Sequence, residues 1–317
     1  MEFPIATILG AALPVFILLA LGFTLRKTRV LNKEADTTLL SLIIRVFYPC
    51  LYLAYIIGNP ALKSAPNLIS APLTGFFSLI VGFALAWLVA RSIGLKRGSG
   101  LRTFAFCNGI YNYGYIPIPV IMALFGDRET MGVLLVYNVG VEAALWTAGI
   151  ILVSGQFRKG MLKQLLNPPV LAMLVAVSIN SVGLDAHIPG WISRTVAMLG
   201  SCSIPVGIIL AGASIADFLN RRGLFDMPKV SLGSIAVRLG LLPILFVAFA
   251  AWMPGLSTEL RQVIVIQAAM PAGILPIVLS RHFGGDASVA IKVVLATTLA
   301  SVVTMPLWIR IGTGFVF

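Results

Sequence analysis

Charge is what this sequence has least of. Only 11% of its residues are Asp, Glu, Lys or Arg, against 59% hydrophobic, and the mean hydropathy is +0.99. A soluble domain carries about 25% charged residues, so a water-exposed fold of this length would lack the side chains to cover its surface. Acidic residues are especially few, 11 against 23 basic, for a formal net charge of +12. The basic residues fall in short clusters between apolar runs rather than on one face, and no aromatic-basic module accompanies them, so nucleic-acid binding is excluded. The three cysteines, Cys50, Cys107 and Cys202, lie in apolar segments without metal-ligand spacing, and the two histidines, His187 and His282, have no convincing metal partner; neither a metal nor a cofactor is expected. There is no His-Glu-x-x-His, no Gly-x-Ser-x-Gly and no Walker motif, so an enzyme or a directly ATP-driven pump is not expected.

What is present is long apolar runs. A spanning helix needs about 20 residues, and the 317-residue chain reads as an all-α integral membrane protein with ten spans: 3–25, 36–58, 68–92, 101–125, 130–154, 168–184, 191–217, 229–252, 259–281 and 286–311. The N-terminus lacks a basic region ahead of its first apolar run, which reads as a retained span. Loops 1, 3, 5, 7 and 9 hold nearly all the interhelical cations: Arg26, Lys27, Arg29, Lys33; Arg91, Lys96, Arg97, Arg102; Arg158, Lys159, Lys163; Arg221, Arg222, Lys229; and Arg281. The even loops hold one each, Lys63, Arg128, Arg194 and Arg261. The positive-inside rule then puts the odd loops in the cytoplasm and both termini outside.

Ten spans divide into residues 1–154 and 168–317, and five spans per half gives the halves opposite orientation: an inverted repeat. Leu124-Phe125-Gly126-Asp127 after span 4 is echoed by His282-Phe283-Gly284-Gly285-Asp286 after span 9. Both spans are interrupted by proline, span 4 at Pro117 and Pro119, span 9 at Pro271 and Pro276. Proline removes a backbone donor and clashes with the preceding turn, and backbone opened in a bilayer must be buried in protein or line a wet cavity. Paired interruptions in matching positions point to a transporter's binding site. Half-helices starting at Pro119 and Pro276 are expected to aim N-terminal amides at the midplane, favouring an anion. Asn108, Asn112, Tyr113, Gly114 and Gln267 beside the breaks are the candidate substrate ligands, Asn112 foremost, with Pro117, Pro119, Pro271 and Pro276 shaping the site. Glu142, about 18 Å into span 5 at 1.5 Å per residue, and Asn138 one turn before it are candidates for ion coupling or charge pairing. Arg45, Arg238 and Lys292, the basic residues inside spans, suit an anionic cargo; the alternative is that they meet lipid headgroups or helix-end carbonyls.

At these residues the chain resembles the auxin efflux carrier family. Asn112 to Pro119 resembles that family's span-4 element, Ala269-Met270-Pro271 its span-9 element, Pro205 to Ser214 its seventh span, and Gly22 to Asn32 its first basic loop. The resemblance covers essentially the whole chain, with Pro117 where the family more often has glycine and Pro276 where relatives often carry polar residues. It implies a bile-acid-symporter-like fold, with a scaffold of spans 1, 2, 6 and 7 and a mobile domain of spans 3–5 and 8–10 in which spans 4 and 9 cross. It further implies a homodimer in the bacterial cytoplasmic (inner) membrane. The function expected is secondary transport of a small organic anion, an auxin-like indole acid or a malate- or malonate-type carboxylate, by elevator-like alternating access coupled to protons or sodium. The alternative is a non-coupled membrane channel or sensory membrane module.

Overall fold

The structure is a computed structural model that describes residues 3–63, 65–157, 165–219 and 227–317. Five of the loop cations used for orientation, Arg158, Lys159, Lys163, Arg221 and Arg222, lie outside the described residues. Among the described residues the chain is helical throughout, with no named strand. We number the helices α1 (Ile5–Lys27), α2 (Lys33–Ile56), α3 (Pro66–Ser92), α4 (Leu101–Gly109), α5 (Pro117–Leu124), α6 (Arg128–Ser154), α7 (Pro168–Ser181), α8 (Gly190–Leu219), α9 (Pro228–Trp252), α10 (Thr258–Ala268), α11 (Leu275–His282) and α12 (Ala287–Val316). Seven of these, α1, α2, α3, α6, α8, α9 and α12, are long and apolar enough to cross a membrane. Large hydrophobic side chains such as Ile17, Ile69, Leu88 and Val303 face outward, as they do where lipid replaces water.

Helix starts near the loops are capped by short polar side chains. Asn32, Asp127, Asn167, Ser257 and Asp286 each accept a hydrogen bond from a first-turn amide of α2, α6, α7, α10 and α12. The two Phe-Gly echoes are part of this device. Gly126 (φ 64°) and Gly284 (φ 80°) take the left-handed conformation that stops one helix, and Asp127 and Asp286 cap the next. The starts of α5 and α11 differ. Neither has a side-chain cap, and each carries proline in its first turn.

Two helix pairs pack backbone against backbone through reciprocal glycines. On α1 and α8, a Cβ at Gly22 would overlap Ile209 and one at Gly212 would overlap Leu19. On α3 and α6, Gly75 faces the Tyr137 carbonyl and Gly140 faces that of Pro72. Small residues that let backbones touch are how helices associate when lipid removes the hydrophobic drive between them. Three π-helical turns interrupt long helices at Ile43–Phe47, Leu145–Gly149 and Val237–Leu241. They contain Arg45, Trp146 and Arg238, three side chains re-aimed by the extra residue in the turn.

Candidate functional site

Between α4 and α5 residues 110–116 leave the helical path, and between α10 and α11 residues 269–274 do the same. The two segments meet. Asn112 N donates to Pro271 O (2.8 Å) and Gly273 N to Ile110 O (2.9 Å), an antiparallel bridge centred on Tyr111 and Ala272. A proline orphans the carbonyl four residues before it, and for Pro117 and Pro271 that carbonyl is found bonded to side chains. Pro117 cannot serve Tyr113 O, which accepts instead from Asn138 Nδ2 (2.9 Å) and Gln267 Nε2 (3.2 Å). Pro271 cannot serve Gln267 O, which accepts from Arg238 Nη2 (3.3 Å). The same guanidinium donates to Ala268 O (3.2 Å) and, through Nε, to Met270 O (3.0 Å). It lies 4.9 Å from the centre of the Tyr111 ring. Beside this bridge, the hydroxyls of Ser78, Tyr111 and Tyr137 form a closed triangle of 2.7, 2.7 and 3.1 Å.

A cavity of about 410 Å³ begins where these segments meet, within the size range of small-molecule sites. It runs between α2, α6, α7 and α8 to the end of the bundle where Asp36 stands. Of the residues singled out from sequence, Asn112, Tyr113, Gly114, Asn138, Glu142 and Pro276 line it. Asn112 Oδ1 accepts from Ile116 N (3.3 Å), and its Nδ2 meets no acceptor among the described residues. Glu142 Oε2 accepts from Asn167 Nδ2 at 2.5 Å.

The remaining candidates are elsewhere. Asn108 is fully buried and donates to Phe104 O and Ser234 Oγ, joining α4 to α9. Gln267, Pro117, Pro119 and Pro271 lie off the cavity wall, with Gln267 bonded to Tyr113 O. Arg45 is exposed on the outer face of α2. Lys292 is buried on α12 and also off the cavity. Arg238 holds carbonyls at the end of α10, the helix-end alternative of the sequence reading, because that terminus concentrates unpaired acceptors. The amides at the half-helix starts need the same correction. The α5 start is at Pro117, so its first and third positions lack an N–H, and Ile118 N is taken by Gly114 O (3.2 Å).

Sequence reasoning missed Tyr48, Tyr52, Trp146 and Asn167, all cavity-lining. Their signals are present in retrospect: Tyr48 and Tyr52 are four apart on α2, and Trp146 continues the four-residue stripe from Asn138 through Glu142. Asp36 lines the far end, but Arg26 binds it with two contacts of 2.5 and 2.6 Å and also reaches Asp217 (3.5 Å).

Comparison with known proteins agrees with this architecture. The family model described as "Membrane transport protein" matches twice in series, over residues 7–160 and 156–309. An uncharacterized transporter of Methanothermobacter thermautotrophicus is 26% identical over 303 residues, covering 93% of this chain and 95% of the relative. An uncharacterized transporter of Methanocaldococcus jannaschii is 20% identical over 307 residues, covering 95% and 97%. A chain of apolar helices matched over nearly its whole length by one transport-protein template belongs to the membrane transport protein family, that of the auxin efflux carriers.

Proposed function

We propose that this protein is a secondary transporter of a small organic acid, with its site in the cavity beside the meeting of residues 110–116 and 269–274. The observation that carries the reading is the pair of antiparallel backbone bonds between those segments, Asn112 N to Pro271 O and Gly273 N to Ile110 O, opening onto a cavity of ligand size. We read α4–α5 and α10–α11 as the crossing halves of spans 4 and 9, and the two successive family matches as five-span repeats of opposite orientation. In this reading α1, α2, α7 and α8 form the scaffold, and α3–α6 with α9–α12 form the moving body. The reciprocal glycine pairs support the division, since each locks two helices of the same body. The protein works in the cytoplasmic membrane with its basic end inward, as a homodimer through the scaffold.

The carboxylate of the cargo is placed against Asn112 Nδ2 and the Leu275 N–H, the first amide of α11, which has no acceptor among the described residues. Glu142 is the coupling or charge-pairing group, and a proton or sodium ion is the driving partner. The test is accumulation of labelled indole-3-acetate or malonate in liposomes holding the purified protein. Asn112→Ala removes a donor at the site, worth about 1–3 kcal/mol, and should weaken uptake affinity about 10–100-fold while the protein remains monodisperse. Ion currents without solute accumulation would instead establish the channel alternative.

Alternating access requires one closed end, and the end opposite Asp36 has the means. Arg128 Nη2, at the start of α6, donates to Ala54 O (2.5 Å) and Ile57 O (2.6 Å) at the end of α2. Asn59 Nδ2 spans the same junction, to Tyr55 O (2.9 Å) and Arg128 O (2.7 Å). Arg128 is exposed, so its contribution is discounted to about 1 kcal/mol. Arg128→Ala should therefore raise external maleimide labelling of a Tyr55→Cys reporter about fivefold, in a background with Cys50, Cys107 and Cys202 replaced by Ser. Unchanged labelling would mean that this clasp does not hold the end shut.

A further inference from the structure

The cavity has an uneven distribution of donors and acceptors. Among the described residues its only charged side chains are acidic, Asp36 and Glu142. Asp36 is neutralised by Arg26. Glu142 has no cation: its Oε2 takes the neutral amide of Asn167, and its Oε1 accepts from no group among the described residues. The amide donors that helix starts usually offer to anions have been removed. Three helices begin at the cavity wall, α5, α7 and α11, and each has proline in its first three positions: Pro117 and Pro119, Pro168 and Pro169, and Pro276. The N–H groups that remain nearby are mostly spoken for. Ile118 N goes to Gly114 O, Val170 N to Asn167 Oδ1 and Ile277 N to Ile274 O. Apart from the tyrosine hydroxyls and the Trp146 N–H, what is left among the described residues is one amide donor region, Asn112 Nδ2 with Leu275 N, and one carboxylate acceptor, Glu142.

Aromatic rings occupy the walls around them. Tyr48, Tyr52, Tyr113, Tyr115 and Trp146 all line the cavity, and Tyr48 stacks on Tyr115 with ring centres 6.2 Å apart. Ring faces attract a cation, most strongly where water is excluded. A carboxylate beside aromatic faces, with no basic side chain among the described residues that line the cavity, is poorly suited to a second negative charge and well suited to an ammonium group.

We propose that the cargo is a zwitterion: an organic acid that also carries a protonated amine, with the amine on Glu142 and the carboxylate at Asn112. This rests on the site assigned above and specifies the second half of its ligand. Calorimetric titration of the full chain in detergent with phenylacetate, phenethylamine and phenylalanine separates the two halves. Phenylalanine should bind at least tenfold tighter than phenylacetate. Glu142→Gln should abolish that advantage while phenylacetate binds as well as before or better, which also shows that the variant is folded. Phenylacetate binding wild type as tightly as phenylalanine would overturn the zwitterion and leave the organic-acid transporter standing. Phenethylamine matching phenylalanine would overturn the zwitterion through its carboxylate half. If neither acid binds to monodisperse protein, the assigned site falls, and this inference with it.

Discussion

Arg238→Met is expected to destabilise the protein by about 3–5 kcal/mol and to leave little folded material. Arg238 is among the largest fully buried side chains, and its hydrogen-bond partners are all backbone: the carbonyls of Gln267, Ala268 and Met270. Pro271 has no N–H to offer Gln267 O, which keeps one backbone bond, from Met270 N (3.2 Å), while Ala268 O and Met270 O at the buried end of α10 accept from the guanidinium. Each buried acceptor left unpaired costs about 1–3 kcal/mol. A methionine of similar length fills the volume and supplies no donor. Lysine is not equivalent either, because one ammonium cannot reproduce the guanidinium's fork across three carbonyls; Arg238→Lys should fall between the two. Arg45→Met is the control, since Arg45 is exposed on α2 and should be silent. The measurement is the midpoint of thermal unfolding in detergent together with the monodisperse fraction. An Arg238→Met variant as stable as wild type would show that the guanidinium does not hold the opened backbone, and would return Arg238 to the pool of cargo-binding cations.

That prediction marks where sequence reading reached its limit. The membrane-embedded, helical character was legible because it rests on hydropathy summed over whole segments. Membership of a transport family was legible in ordered short elements such as Ala269-Met270-Pro271. Proline identifies the carbonyl it deprives, four residues back, with no structure needed. Which side chain comes to that carbonyl is a tertiary fact. Arg238 is 29 residues from Gln267 in sequence, and Asn138 is 25 from Tyr113. Nothing local distinguishes Arg238, which caps a helix end, from Arg45, which faces outward, since both sit nine or ten residues into apolar spans. The cavity wall was half legible for the same reason. Asn112, Tyr113 and Gly114 adjoin the break itself. Tyr48, Tyr52 and Trp146 reach it from other helices, where aromatic residues are ordinary constituents of apolar spans. Asn167 reads as a helix cap from its Pro-Pro neighbours, and it is one; its second bond, to Glu142, follows from how deep α7 begins.

Gly140→Ala should be among the most damaging single-methyl additions in the chain, and Gly10→Ala among the least. Both glycines lie in apolar helices, and alanine is the better helix former by about 0.8–1 kcal/mol, so propensity alone predicts a gain at each. At Gly10 a Cβ would meet nothing within 4 Å, and that gain should survive. At Gly140 the Cβ would enter the space of the Pro72 carbonyl, and Gly75 faces the Tyr137 carbonyl from the opposite helix. The obstacle at both places is main chain, which cannot rotate away as a side chain would. The helices must separate, and separation also pulls on the hydroxyl triangle, because Ser78 rides on α3 and Tyr137 on α6. Overpacking of this kind costs about 1–3 kcal/mol where a core can adjust and more where it cannot, so about 3 kcal/mol or more is expected. Gly75→Ala should cost a similar amount. The double variant should cost less than the sum, since the first methyl already parts the helices that the second would part. Full additivity would mean that the two contacts yield independently, and that α3 and α6 do not act as one rigid piece.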